Sequence, residues 1–254
     1  MIEKYKEKIV ISGGIIEVYR YDNEILRGYE EKEHTPGNYG RALEANEQEK
    51  GVNRIKTQQR AKRNLRRTIN ANFNEWGENP KFITLTYADN EQDIKKCNLD
   101  FRLFIRRLGY KSGIKIKYSC VIEFQKRGAI HYHVIIYNLP YTSNKSLREV
   151  WGHGFVKINN IDNVDNVGAY VTKYMSKDND DKRLIGQKCY FNSRELIKPT
   201  EITEKETVQR FLTSLDCSNK KPCYENTFAN EFNTTLYKQY NYNKDLLKVQ
   251  SNIK

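Results

Sequence analysis

Apolar and polar positions along the chain follow two periods, and these predict strands and helices in a definite order. The apolar runs 9–12 and 15–19 flank Gly13-Gly14, a pair that predicts a two-residue hairpin turn. The run 81–87 (KFITLTY) is rich in β-branched and aromatic residues and predicts a strand. Between 91 and 109, apolar residues recur every three or four positions, which predicts an amphipathic helix ending near Gly109.

The second half of this pattern predicts a sheet with helices. Further strands are expected at 114–125 and 129–137, then a helix at 145–151, a strand at 155–158 and a helix at 162–176. The order of these elements indicates an α+β fold, an antiparallel sheet with helices packed on one face. We therefore divide the chain into an N-terminal hairpin and basic helix (1–77), a central domain (78–180) and a C-terminal region of unknown role (181–254), with a linker at 178–182.

The amino-acid composition argues against a disordered, a membrane-spanning and an exported protein. The chain has 254 residues with 18 Tyr and 10 Phe, which argues against intrinsic disorder. It has no apolar run long enough to span a membrane, and its first residues do not resemble an export signal. Its five cysteines form no CxxC pair, which favours reduced thiols in a cytoplasm. A cytoplasmic protein without a membrane segment is expected.

Positive charge points to a polyanionic partner. Lys and Arg outnumber Asp and Glu by 44 to 32, and the segment 50–67 has eight basic residues and no acidic one. Sparse apolar positions predict that this segment belongs to a helix over about 44–73. Either it is a solvated charged face, or it binds nucleic acid. The candidate DNA-binding residues are Arg54, Lys56, Arg60, Arg63 and Arg67, and the spacing puts Arg60, Arg63 and Arg67 on one face.

A candidate metal site follows from the predicted strand pairing. His131 and His133 are two residues apart on a strand, so both imidazoles point to the same face. The three-residue loop 126–128, with Gly128 in the left-handed conformation, would place Glu123 opposite His131. One carboxylate and two imidazoles fit an open site for Mg²⁺, Mn²⁺ or Zn²⁺. The alternative is a pair of structural histidines.

A second candidate group lies on the last helix of the domain. Tyr170, Lys173, Tyr174 and Lys177 are spaced so that they share one helical face. A tyrosine is a weak nucleophile at neutral pH, but neighbouring ammonium groups favour its phenolate, and lysine can neutralise charge that develops on phosphorus. The alternative is a surface stripe of amphipathic side chains.

Three motifs together resemble a known family. FITLTY (82–87), His131-Tyr132-His133 and YVTKYMSK (170–177) resemble, in this order, motifs I to III of the HUH endonucleases. The resemblance covers about 80–180 and is strongest to rolling-circle initiators of phages and small plasmids, the group that includes the filamentous phage gene II protein and the A protein of isometric phages. It implies an HUH/RRM-like antiparallel sheet whose catalytic helix carries the tyrosines.

The resemblance also implies roles for the candidate residues. Glu123, His131 and His133 would bind Mg²⁺ or Mn²⁺, Tyr170 would be the nucleophile, Tyr174 a second tyrosine and Lys173 the motif III lysine. The Tyr-x-x-Lys spacing is repeated by Tyr174 and Lys177, so either tyrosine could attack first.

The implied activity is metal-assisted nicking of single-stranded or origin DNA. Attack by tyrosine would form a 5′-phosphotyrosine link and free a 3′-OH, and the reverse step would rejoin strands. Because the chain lacks a GxxxxGK[ST] motif, unwinding must come from a host helicase or from supercoiling. Besides the DNA, a host helicase and polymerase in a bacterial cytoplasm are the expected partners. The alternatives are a non-enzymatic DNA-binding regulator and an HUH transposase or mobilisation relaxase.

Overall fold

The computed structural model of the chain describes residues 2–28, 47–77, 80–161, 163–176, 183 and 187–243. In chain order the strands and helices are β1 (Glu3–Ser12), β2 (Ile15–Arg27), α1 (Glu47–Asn72), β3 (Lys81–Tyr87), α2 (Ile94–Ser112), β4 (Tyr118–Phe124), β5 (Ile130–Ile136), α3 (Asn144–Trp151), β6 (Gly154–Asn159), α4 (Val167–Val171) with a 3₁₀ turn (Thr172–Ser176), β7 (Tyr190–Asn192), β8 (Thr200–Ile202), α5 (Lys205–Cys217), β9 (Tyr224–Ala229) and β10 (Thr234–Asn241). The α+β class and the predicted order of elements in the central segment are confirmed.

Contacts divide the chain into two compact units. The first unit comprises Met1–Thr57 and Pro199–Lys254, and the second comprises Gln58–Lys198. The division at 77 and 180 made from the sequence is a different partition of the chain and stays a prediction. The expected linker at 178–182 lies outside the described residues. In the described part of the chain, no helix has both the length and the apolar character to span a membrane.

The first unit is built on the predicted hairpin. Ser12 pairs with Ile15 across the two glycines, and the sheet order is β8-β1-β2-β10-β9 with antiparallel neighbours. Val208 and Leu212 of α5 belong to the same buried cluster as Ile9 and Val18 of the hairpin. The polar C-terminal region thus supplies a helix and three strands to this unit.

The second unit has a five-stranded antiparallel sheet in the order β6-β3-β5-β4-β7. Because side chains alternate along a strand, the sheet has two apolar faces. Ile83 and Tyr132 lie in the cluster that includes α2 and α3. Phe82 and Ile135 lie in the cluster that includes the C-terminal half of α1 and the helix α4. The expectation of helices on one face only was therefore wrong, since basic α1 also contributes an apolar edge.

Two predicted helix boundaries were also wrong. Helix α2 continues past Gly109 and ends at Ser112, and the following Gly113 caps it with a positive φ of 70°. The last helix begins at Val167 rather than near 162, because Asn166 caps its N-terminus by accepting a hydrogen bond from the Ala169 N–H. It tightens into a 3₁₀ turn at Thr172, whose hydroxyl donates to the Gly168 carbonyl.

Candidate active site

A tight loop between β4 and β5 sets the register of the site. Gly128 has a φ of 92°, and its N–H donates to the Gln125 carbonyl at 2.7 Å. The Gln125 N–H in turn donates to the Ala129 carbonyl at 2.8 Å, so that Glu123 pairs with His131. The register predicted from the loop sequence is confirmed.

This register brings together a candidate metal site. Ligand atoms of Glu123, His131 and His133 all lie within 4.8 Å of one another. The Glu123 carboxylate contacts His133 Nε2, whereas His131 Nε2 is buried and has no hydrogen-bond partner among the described residues. A buried imidazole nitrogen without a partner, beside a carboxylate, is what a divalent cation would satisfy. These three residues therefore fit a metal ion, whose identity the donor set does not fix.

Burial keeps one of these imidazoles neutral. The pKa of His131 is lowered to about 4, chiefly because burial disfavours the charged ring and secondly because His133 lies beside it. Only a neutral imidazole offers a lone pair to a metal. At neutral pH, His131 is therefore in the protonation state that binds a cation.

Thr84 holds the second imidazole in place, a role that was not predicted from the sequence. Its Oγ1 lies 3.1 Å from His133 Nδ1 and also accepts a hydrogen bond of 3.0 Å from Asn159 Nδ2. The three residues come from the neighbouring strands β3, β5 and β6, in which Thr84 pairs with His133. Metal-bound histidines usually hold their second nitrogen in this way. The alternation of β3 put Thr84 on the right face, but only the pairing of β3 with β5 reveals its partner.

One of the two tyrosines lies against a candidate metal ligand. The ring of Tyr174 stacks on His133 with centroids 3.7 Å apart and planes 17° apart. Tyr170 lies beside Tyr174, with centroids 6.3 Å apart, and packs edge-on against Phe82. The Lys173 Nζ is 5.1 Å from the centre of the Tyr170 ring, and Lys177 lies outside the described residues. Tyr170 thus lies beside both Lys173 and Tyr174, and Tyr174 lies next to the candidate metal site.

Tyr174 is harder to ionise than the sequence suggested. Its pKa is raised to about 12, first by burial and then by a hydrogen bond with Tyr170 and the nearby Glu123 charge. The side chain of Lys173 is exposed to solvent, where its charge is screened. Lys173 is not among the groups that shift the pKa of Tyr174, and Lys177 lies outside the described residues, so the expectation that lysine favours the phenolate stays a prediction.

Close contact between α1 and α4 fixes the tyrosines, and this feature was not predicted either. Asn70 Oδ1 accepts a 2.8 Å hydrogen bond from the Gly168 N–H, and Asn70 Nδ2 donates to Asn166 Oδ1 at 3.0 Å. A Cβ at Gly168 would lie 2.2 Å from the Arg66 carbonyl oxygen. Only glycine permits this approach. The glycine stands two residues before Tyr170, but its role depends on a distant helix.

The candidate DNA-binding residues of α1 differ in exposure. Lys56, Arg60 and Arg63 are exposed, and Arg54 is partly exposed. Arg67 is only 6% exposed, so it does not share a solvent-facing surface with Arg60 and Arg63 as the spacing predicted. The reason is that α1 packs its C-terminal half on the sheet, around Leu65 and Ile69.

Comparison with known families finds a match for the central segment. Residues 80–179 match the model of a family of replication-associated proteins, that of ORF2 and the phage gene II protein. Searches of curated proteins and of solved structures found no match. The matched range contains Glu123, both histidines and both tyrosines, so that the whole candidate site lies within it.

Proposed function

We propose, from the replication-associated family that residues 80–179 match, that this chain starts rolling-circle replication by nicking one strand of origin DNA. One observation carries the proposal. Within the matched segment, the Tyr174 ring stacks on His133, one of three residues grouped as candidate metal ligands. One surface thus carries both a side chain of the type that forms phosphate esters and a site for a cation that binds phosphate oxygens.

The proposed reaction exchanges one phosphate ester for another. The phenolic oxygen attacks the scissile phosphorus, the bond from phosphorus to the 3′ oxygen breaks, and that oxygen leaves with a proton as a free 3′-OH. The 5′ phosphate stays on tyrosine. Because ester bonds are equal in number before and after, attack by a 3′-OH reverses the step and rejoins strands. The chain would therefore act as both nickase and strand transferase.

The residues of the candidate site have separate roles in the proposed reaction. Glu123, His131 and His133 would hold Mg²⁺ or Mn²⁺, and a cation bound there supplies a Lewis acid for the scissile phosphate. Thr84 keeps the His133 ring in position. Lys173, exposed beside Tyr170, can offset negative charge on the phosphate. A second tyrosine allows another cleavage while the first link persists.

The proposal is tested with DNA that includes the region around the protein's own coding sequence. Supercoiled circles are incubated with protein and Mn²⁺, and the expected product is a relaxed circle that carries covalently bound protein after denaturation. Glu123→Gln should abolish this product, and Tyr141→Phe, at a tyrosine that is 90% exposed, should not. Duplex binding without any scission would instead identify a DNA-binding regulator.

The order of the tyrosines can be tested in the same assay. We assign the first attack to Tyr170, the tyrosine that matches the motif III nucleophile, because the Tyr174 ring is held on His133. Tyr170→Phe should then abolish the covalent adduct, whereas Tyr174→Phe should preserve the first nick and lose the second. If Tyr170→Phe formed the adduct at the wild-type rate, Tyr174 would be the residue that attacks first.

A further inference from the structure

The sheet face that carries the candidate metal ligands continues onto the edge strand β6. Phe155 pairs with Thr86, which pairs with His131, which pairs with Glu123. In the adjacent row, Lys157 pairs with Thr84 and Thr84 with His133. Paired residues of antiparallel strands point to the same face. Phe155 and Lys157 therefore lie on the face of the candidate metal site, about 10 Å or two strand spacings from the histidines.

Among the described residues, this edge of the metal face is open to solvent. Phe82 and Ile135, on the same face, are fully buried under α1 and α4, whereas Phe155 is 59% exposed. Lys157 is exposed as well, and β6 (GFVKIN) contains no acidic residue. The guanidinium of Arg148 lies 5.7 Å from the centre of the Phe155 ring. An exposed aromatic ring with Arg148 beside it and Lys157 two residues along the strand suits a chain that carries phosphates and planar bases.

We propose that Phe155 and Lys157 bind the nucleotides beside the scissile phosphate, a base stacking on Phe155 and a phosphate pairing with Lys157. This proposal rests on the nicking function and specifies how the substrate is held. The partner is single-stranded DNA, because stacking on an exposed ring needs an unpaired base. Bases stack on aromatic rings with little regard to sequence, so the β6 edge would position the strand without selecting the origin.

Direct binding tests the proposal independently of cleavage. The probe is a fluorescein-labelled oligodeoxythymidine of about 15 nucleotides, near the upper site size of single-strand-binding modules. Affinity is measured by anisotropy in Mg²⁺ at several salt concentrations. A second probe of the same length carries abasic sites, so it keeps the phosphates and loses the bases.

Two variants should separate stacking from charge. Phe155→Ala should weaken binding of oligodeoxythymidine about tenfold and leave binding of the abasic probe unchanged, and Phe155→Tyr should restore the affinity. Lys157→Gln should weaken binding of both probes and make the log–log salt slope shallower by about 0.7, the value for one phosphate on a single strand. Tyr141→Ala, which removes an aromatic ring that is 90% exposed, is the control and should change neither.

The outcomes distinguish this proposal from the nicking function. If the wild type nicks origin DNA and Phe155→Ala binds both probes as the wild type does, the β6 proposal is overturned and the nicking function stands. Equal weakening of both probes by Phe155→Ala would also overturn it, because stacking needs a base. If the wild type neither binds the probe nor nicks DNA, the proposed function itself fails.

Discussion

At the scale of single residues, the hydroxyl of Thr84 is the contact that orients the candidate metal centre. It accepts from Asn159 Nδ2 and lies 3.1 Å from His133 Nδ1. When His133 Nε2 gives its lone pair to a cation, the proton must reside on Nδ1. Thr84 Oγ1 can accept that N–H with its second lone pair. The hydroxyl can therefore serve as the acceptor that the metal-binding tautomer needs.

This role gives a prediction for Thr84→Val, which keeps the side-chain shape. The Nδ1–H of His133 would be left buried without an acceptor, so the affinity for Mn²⁺ should fall by about 10- to 100-fold. The change is measured by titration calorimetry. Thr86→Val is the matched control, since Thr86 lies on the same strand face and pairs with His131 through the backbone ladder. An equal loss of Mn²⁺ affinity in both variants would contradict this role of the Thr84 hydroxyl.

Burial of His131 predicts acid sensitivity of the metal-free protein. Its pKa is about 4 in the folded chain, whereas an unfolded histidine titrates near 6.5. Between these values the unfolded state binds more protons, so the free energy of unfolding should fall as pH drops from about 6.5 towards 4. The loss from this group is at most about 3 kcal/mol and is smaller where solvent reaches the ring.

The matching variant is His131→Gln, which cannot take up a proton. Its unfolding free energy from urea denaturation should vary less between neutral pH and pH values near the folded pKa than that of the wild type. A parallel decline in both proteins would show that other groups cause the acid sensitivity. The comparison is made in the presence of a chelator, because a bound cation would stabilise only the wild-type site.

At the scale of elements, the placement of α4 depends on its contact with α1. Intrinsic helix propensity would favour Gly168→Ala by about 1 kcal/mol. In this structure the substitution should destabilise the fold instead. The new Cβ would lie 2.2 Å from the Arg66 carbonyl oxygen and 2.7 Å from Asn70 Oδ1. We expect a destabilisation of about 1–3 kcal/mol, as for other overpacked sites, and a larger fall in the rate of adduct formation. Urea denaturation and the nicking assay measure the two effects.

The two outcomes of this substitution have different meanings. Loss of adduct formation in a variant that still unfolds cooperatively would show that α4 has moved relative to the sheet, taking the tyrosines with it. An increase in stability, with nicking intact, would show that the helices can separate at no cost. In that case the hydrogen bond from the Gly168 N–H to Asn70 would not position the tyrosines.

Local signals determined how far the sequence could predict these elements. The sequence of the loop 126–128 predicts its conformation, because a glycine at the third position sets the pairing of Glu123 with His131. The need for Gly168 depends on contacts with α1, far away in sequence. The same holds for Thr84, whose partner is on another strand. Periodicity reports which face a residue occupies, but it does not report which element covers that face.

At the scale of the whole molecule, the ends of the chain form one unit that local patterns did not reveal. Strand β10 pairs with β2, and Tyr237 donates a hydrogen bond of 2.8 Å to the buried Glu17. Strand β9 is exposed along its length, so its sequence shows little alternation of apolar and polar residues. A strand of this kind is recognisable only from its partner.

Charge at this scale leads to the last prediction, that α1 supplies affinity for DNA of any sequence. Arg60 and Arg63 are exposed, whereas Arg67 is buried, so two arginines rather than three are available on this part of the helix. Each phosphate contact on duplex DNA contributes about 0.9 to the log–log salt slope. The double substitution Arg60→Gln and Arg63→Gln should therefore make the slope shallower by about 1.8 and weaken binding to every duplex tested.

A matched pair of arginines on another helix controls for net charge. Arg102 and Arg106 are exposed on α2, which packs on the sheet face opposite the candidate metal site. Their double substitution to Gln removes the same charge and should leave the slope nearly unchanged, because long-range attraction is largely screened beyond about 10 Å at moderate salt. Both double variants should nick a saturating single-stranded origin oligonucleotide as the wild type does, since the metal ligands and tyrosines are intact. Equal slopes for the two double variants would mean that net charge, and not contact through α1, holds the protein on DNA.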